Sequence, residues 1–203
     1  HNSGENEKKQ KTLYLIISRK KYKILKNQVD SKRFNADKNN DKPVKVKVWN
    51  CKGNKWWREY ESMVVDWSHL NPYPNQINVV EEIIKAYHNS RHQSLVVYAY
   101  GLAGTGKTNI GYLIAKHFKS HYFNGWKPTN EGNRFSDARL AINPEKDSPL
   151  IVGVNEINHI VYKLDKMKPV KDVEREFDGK EDWNNFFDSF GIGFYQNTII
   201  IAT

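Results

Sequence analysis

The sequence predicts an α/β protein: a parallel sheet with helices on both faces, three layers in all, preceded by a small β-rich module. Three observations carry that expectation. From residue 94 onward, short apolar runs alternate with stretches whose apolar residues recur every three or four positions, the pattern of strand–helix crossovers. A glycine-dense octapeptide, Gly101 to Thr108, sits between one such run and one such stretch. Ahead of residue 71, by contrast, single apolar residues alternate with lysines, as in half-exposed antiparallel strands.

Taken in order, His1 to Gln10 is polar and charged and reads as a loose tail. Thr12 to Ser18 is a strand, Lys21 to Leu25 its short partner, and Asn35 to Lys42 a loop without an apolar face. Val44, Val46 and Val48 alternate with Lys45 and Lys47, and the turn Asn50 to Lys55 returns the chain into Trp56 to Val65. Residues 11–70 therefore read as a basic β-rich module. Trp49, Trp56 and Trp57 serve better as its core than as platforms for bases. Two prolines in Asn71-Pro72-Tyr73-Pro74-Asn75 mark a boundary, and residues 71–203 form the second unit. Within it Ile77, Val80, Ile83, Ile84 and Tyr87 describe an amphipathic helix, followed by a strand from Ser94 to Tyr100. The spacing then predicts helix 109–118, strand 121–124, helix 135–142, strand 150–154, helix 182–190 and strand 198–203. Tyr162 to Lys180 is dense in charge and reads as a solvated excursion. A start at His1 and an end inside the apolar run Thr198 to Ala202 are expected of a piece of a longer protein.

Composition narrows the class. The net charge is +9, and residues 1–66 carry 17 Lys and Arg against 8 Asp and Glu, so the rest of the chain is neutral. A basic amino-terminal part suggests an acidic partner, nucleic acid first among them; a chain rich in Lys and Asn throughout is the plainer account. The single cysteine, Cys51, excludes an internal disulfide and fits a reducing interior, cytoplasmic or nuclear. No apolar run approaches the roughly 18 residues of a membrane helix, no signal peptide is visible, and the histidines lack metal-ligand spacing.

The octapeptide fits G-x-x-x-x-G-K-[ST], the loop that wraps the phosphates of a nucleoside triphosphate, which makes the unit a P-loop NTPase core. Gly101, Ala103, Gly104, Thr105, Gly106, Lys107, Thr108 and Asn109 are its candidate ATP-binding residues. Glycines let the backbone turn tightly and point N–H groups inward, Lys107 supplies charge to the β- and γ-phosphates, and the Thr108 hydroxyl ligates Mg²⁺. A glycine turn that binds nothing is the bland alternative, and the strand before and helix after weigh against it. Pro149 to Glu156 is an apolar strand ending in two polar residues, placed where α/β sheets bind ligands. Glu156 is the candidate general base for an attacking water. Asn155, where the usual pattern has Asp, is a candidate Mg²⁺ partner without charge, so metal affinity and turnover are expected to be weaker. Otherwise Glu156 merely caps a helix that begins near Ile157. Gln76 reads either as a surface residue at a helix start, the commoner case, or as an adenine contact of the kind a comparable Gln makes in helicases.

The ordered set of motifs from Tyr100 to Thr203, half the chain, resembles the front of an AAA+ ATPase module. Gly101–Thr108 is similar to its first motif, His121–Asn124 to its second strand, and Ser148–Asn158 to its acidic strand end. Asp182–Asp188 is similar to the helix before its sensor strand, and Thr198–Thr203 to that strand. The resemblance implies Mg²⁺-dependent ATP hydrolysis that remodels a protein or nucleic-acid partner, a homo-oligomeric ring, and Thr203 as the catalytic sensor position within the chain. The lid, second sensor and arginine finger would follow Thr203. Asn130-Glu131-Gly132-Asn133 lacks the aromatic of peptide-threading members, so threading is not expected. A narrower likeness, in the basic β-rich part and Asp182–Asp188, is to the AAA proteins that assemble respiratory complex III and their relatives in large DNA viruses. Superfamily 1 helicases are the first rival, on Gln76; a nucleotide-binding scaffold without turnover is the second, on Asn155.

Overall fold

The computed structural model describes residues 43–54, 58–167 and 175–203. Six strands form one mixed sheet: β1 (Lys45–Gly53), β2 (Arg58–Asp66), β3 (Ser94–Tyr98), β4 (His121–Phe123), β5 (Leu150–Val154) and β6 (Thr198–Ala202). Their spatial order is β2-β1-β4-β5-β6-β3. Only β1 and β2 pair antiparallel; every other neighbouring pair is parallel. Five helices are described: α1 (Pro74–Asn89), α2 (Lys107–Phe118), α3 (Phe135–Ile142), α4 (Ile157–Lys166) and α5 (Lys180–Gly191). None of the helices is long and apolar enough to cross a membrane.

Strand alternation builds the three layers. Ile199 and Ile201 of β6 and Ile151 of β5 pack with Ile83 and Tyr87 of α1 and Ile110, Ile114 and Ala115 of α2. Ile200 and Ala202, with Leu150, Val152 and Val154, face the other way onto Phe135 and Ile142 of α3, Ile160 and Leu164 of α4, and Trp183, Phe186 and Phe190 of α5. All of β5 and β6 is buried, as strands covered on both faces must be. Phe186 anchors the second layer, within ring-contact distance of Trp126, Phe135, Phe177, Phe190 and Tyr195.

The expected boundary near residue 71 is not a boundary of the sheet. β1 pairs in parallel with β4, Val48 opposite Tyr122 and Trp49 opposite Phe123, so the β1–β2 hairpin ends the same sheet. A two-stranded hairpin has too little apolar surface to stand alone. Here Val46 and Val48 are buried in the α1/α2 layer, while Trp49, Cys51 and Tyr60 pack against the other. The expected tail, the strands at 12–18 and 21–25, the loop 35–42, Trp56 and Trp57 lie outside the described residues. The expected solvated excursion from Tyr162 to Lys180 is corrected at its two ends, while residues 168–174 lie outside the described residues. Its first residues complete α4, where Ile160 and Leu164 fall one turn apart and are buried, and Phe177 is buried against Trp183. Charge density hid an apolar stripe of one residue per turn.

The β1–β4 junction is expected to be acid-sensitive. Trp49 Nε1 donates to His121 Nδ1 at 3.0 Å, which requires that nitrogen to be unprotonated. Burial, reinforced by Lys47, holds the His121 pKa below its ordinary 6.5, and burial with His88 does the same for His117. Each lowered pKa adds stability that is complete above pH 6.5 and is lost as pH falls through the folded-state value. The thermal midpoint should therefore drop on acidification from pH 7 to pH 5, and Trp49→Phe should reduce that drop. A variant as acid-sensitive as the parent, followed by circular dichroism, would remove this bond as the cause.

Gly153, mid-strand in β5, faces Tyr122 so closely that a Cβ would run into the phenol oxygen. Tyr122 is buried, and burial with Tyr112 beside it raises its pKa, so the phenol stays neutral. Gly153→Ala should destabilise the protein by about 1–3 kcal/mol through overpacking. Urea unfolding with an unchanged midpoint would show that Tyr122 yields.

Candidate functional site

Three parallel strands, β3, β6 and β5, end side by side, and the polar residues that follow them meet at the carboxyl edge of the sheet. Ala99 N–H donates to Ala202 O, Thr203 N–H to Val154 O, and Ile157 N–H to Thr203 O, so the strand ends are tied beyond the ladder itself. Between β3 and α2 the glycine loop carries positive φ at Gly101, Gly104 and Gly106, at 148°, 77° and 80°. These values explain why glycine stands there. Gly106 is the left-handed N-cap of α2, whose first turn holds no acidic residue, leaving the positive end of the helix open to an anion.

A cleft of about 990 Å³ is lined by Gly101, Ala103, Gly104, Gly106, Lys107 and Thr108 from the loop and α2, and by Asn155, Glu156 and Thr203 from the strand ends. Lys107 and Glu156 thus share one cavity. Lys107 Nζ donates to the carbonyls of Gly101 and Leu102, at 3.1 and 2.9 Å, and so stands over the beginning of the loop. Asn155 Oδ1 accepts from Thr108 Oγ1 at 3.3 Å and from Thr203 Oγ1 at 3.2 Å. Three uncharged oxygens converge in the cleft that Glu156 also lines, a donor set of the hardness Mg²⁺ takes when phosphates and waters complete its shell. Among the described residues no group of three or more His, Cys, Asp or Glu is arranged to hold a metal, so any cation here would depend on its ligand.

Glu156 is the N-cap of α4, but its side chain makes no capping hydrogen bond. Its backbone is left-handed at φ 58°, a conformation that costs a non-glycine residue about 1 kcal/mol or more and clusters at functional sites. Capping is therefore not what the carboxylate does.

No protein-family model and no curated protein matches this chain. The site stands on its geometry.

Two sequence candidates stand apart from the cleft. Thr105 does not line it and turns its hydroxyl to Leu102 O at 2.9 Å. Asn109 faces α1, donating to Gln76 Oε1 at 3.1 Å. Gln76 corrects the surface reading. It is only 3% exposed, donates from Nε2 to Gly106 O at 2.8 Å, and also accepts from Tyr73 N–H at 2.9 Å. One amide thus joins the start of α1, the last glycine of the loop and the first turn of α2. Partners 30 and 33 residues away leave no periodic trace in sequence.

Asn130 to Asn133 is held in place by β2. Arg58 donates to Glu131 O at 2.6 Å, Tyr60 OH to Arg134 O at 2.8 Å, and Arg175 pairs with the Glu131 carboxylate at 3.2 Å. A smaller cavity of about 310 Å³ between this segment and α4 also touches Asn155 and Glu156.

Proposed function

We propose that this chain is the nucleotide-binding core of an AAA+-type P-loop ATPase. The observation that carries the proposal is the convergence of the Thr108 and Thr203 hydroxyls on the Asn155 side-chain oxygen, in the cleft that Lys107, Glu156 and the glycine loop also line. Phosphates would seat on the N–H groups of Gly104 to Thr108 at the open end of α2. Lys107 would exchange its two carbonyl partners for β- and γ-phosphate oxygens. Thr108 and Asn155 would hold Mg²⁺, which when bound supplies charge neutralisation on the phosphates. Glu156 would take the proton of the attacking water, and Thr203 would orient that water against the terminal phosphate. The experiment is a calorimetric titration with ATP and Mg²⁺, paired with phosphate release, on the parent chain and on Lys107 and Glu156 variants.

The wider reading is that hydrolysis drives remodelling of a protein or nucleic-acid partner by a homo-oligomeric ring, inside a cell. It rests on the AAA+ resemblance, on the basic residues 1–66 and on the single cysteine. Asn155 favours a second reading, a nucleotide-operated switch that binds without turnover, because a neutral amide in place of a carboxylate lowers the charge offered to the metal. Tight Mg²⁺-ATP binding with no phosphate release would select it.

A further inference from the structure

We infer that the nucleoside end of the ligand stacks on Tyr73 and that the site accepts adenine and guanine nucleotides alike. The inference rests on the nucleotide-binding reading above. Two sides of the glycine loop are distinguishable, the one that lines the cleft and the one that adjoins it at Gly106 and faces the start of α1. Thr108 turns toward Asn155 and Thr203, whereas Asn109, about 100° further round the same helical turn, faces Gln76. Lys107 Nζ stands over Gly101 and Leu102. A triphosphate with its terminal group between Lys107 and Glu156 therefore runs its sugar and base toward Asn109 and the start of α1.

At that end the obvious reader of a base is already engaged. Gln76 Oε1 accepts two hydrogen bonds and Nε2 donates to Gly106 O, with 3% of the residue exposed. What faces solvent there is a ring. Tyr73 is 60% exposed, touches no other aromatic ring among the described residues, and lies along Gly106, where an added Cβ would meet two of its ring carbons at 3.5 Å. Tyr73 N–H donates to the Gln76 side-chain oxygen and Gln76 N–H to Tyr73 O, and with the flanking Pro72 and Pro74 these bonds fix its backbone. A π-face binds any base, purines most strongly, without hydrogen-bond selection. Tyr100, 96% exposed, is the competing ring, but it adjoins Gly101 at the Lys107 end.

The test is calorimetric titration of the chain with Mg²⁺ and ATP, GTP or inorganic tripolyphosphate. In the parent, ATP and GTP should bind within about threefold of each other. Tyr73→Ala should weaken both about tenfold and leave tripolyphosphate unchanged, while Tyr73→Phe should restore parental affinity and Tyr100→Ala should change nothing. A tenfold or greater preference between ATP and GTP, an equal loss of tripolyphosphate in Tyr73→Ala, or base-dependent loss in Tyr100→Ala instead would each overturn the inference. ATP binding that ignores Lys107→Ala would overturn the nucleotide site itself, and this inference with it.

Discussion

Lys107→Ala is expected to weaken ATP binding by a hundredfold or more, about 2.7 kcal/mol, while the fold stays intact. The size follows from removing charge-assisted hydrogen bonds to phosphate, each worth about 1.5–3 kcal/mol. The fold should survive because the ammonium group's two partners, the carbonyls of Gly101 and Leu102, lie at an exposed loop where water can replace it. Titration calorimetry reads the affinity and circular dichroism the integrity. Parental affinity in a folded variant would leave the cleft without a role in triphosphate binding.

Glu156→Gln should separate binding from chemistry. Gln keeps the size of the side chain and removes the base. ATP affinity should stay within a few fold of the parent while phosphate release slows by roughly 10²–10⁴-fold. The backbone argues for the same substitution. Position 156 already holds a left-handed conformation at φ 58°, and the side chain makes no capping bond to lose. Slower release without weaker binding would mark the carboxylate as the proton acceptor. Unchanged release would assign that step elsewhere, and an equal loss of affinity would make Glu156 a ligand-holding group.

Much of the fold is legible in the sequence because its strands are short, apolar and bounded by helix-period segments. β5 and α3 occur at the predicted residues, and the helix predicted at 182–190 runs from Lys180 to Gly191. The glycine loop is legible because a positive φ at three positions demands a residue that composition displays directly. Illegible parts depend on long-range partners. Nothing in the alternation of Val44, Val46 and Val48 says that β1 will join β4 in parallel, 74 positions along. Nothing around Gln76 announces Gly106, and Leu164 disappears among the charges of its own helix. In the candidate site, Lys107, Thr108, Asn155 and Glu156 are readable from their motifs, Thr203 only from the resemblance to AAA+ modules, and all five line one cleft. Tyr73 shows in the sequence only as part of a proline turn, since a lone exposed ring has no spacing to detect.

The fit of Gly153 beneath the Tyr122 phenol has a consequence for the phase of β5. Because both faces of this strand are greasy, burial alone would tolerate a slip of one residue, which merely swaps layers. The missing side chain at 153 makes the two phases unequal: shifted by one, Val152 or Val154 would have to occupy the space beneath the phenol. A notch in the strand thereby indexes Asn155, two residues on, to its place between Thr108 and Thr203.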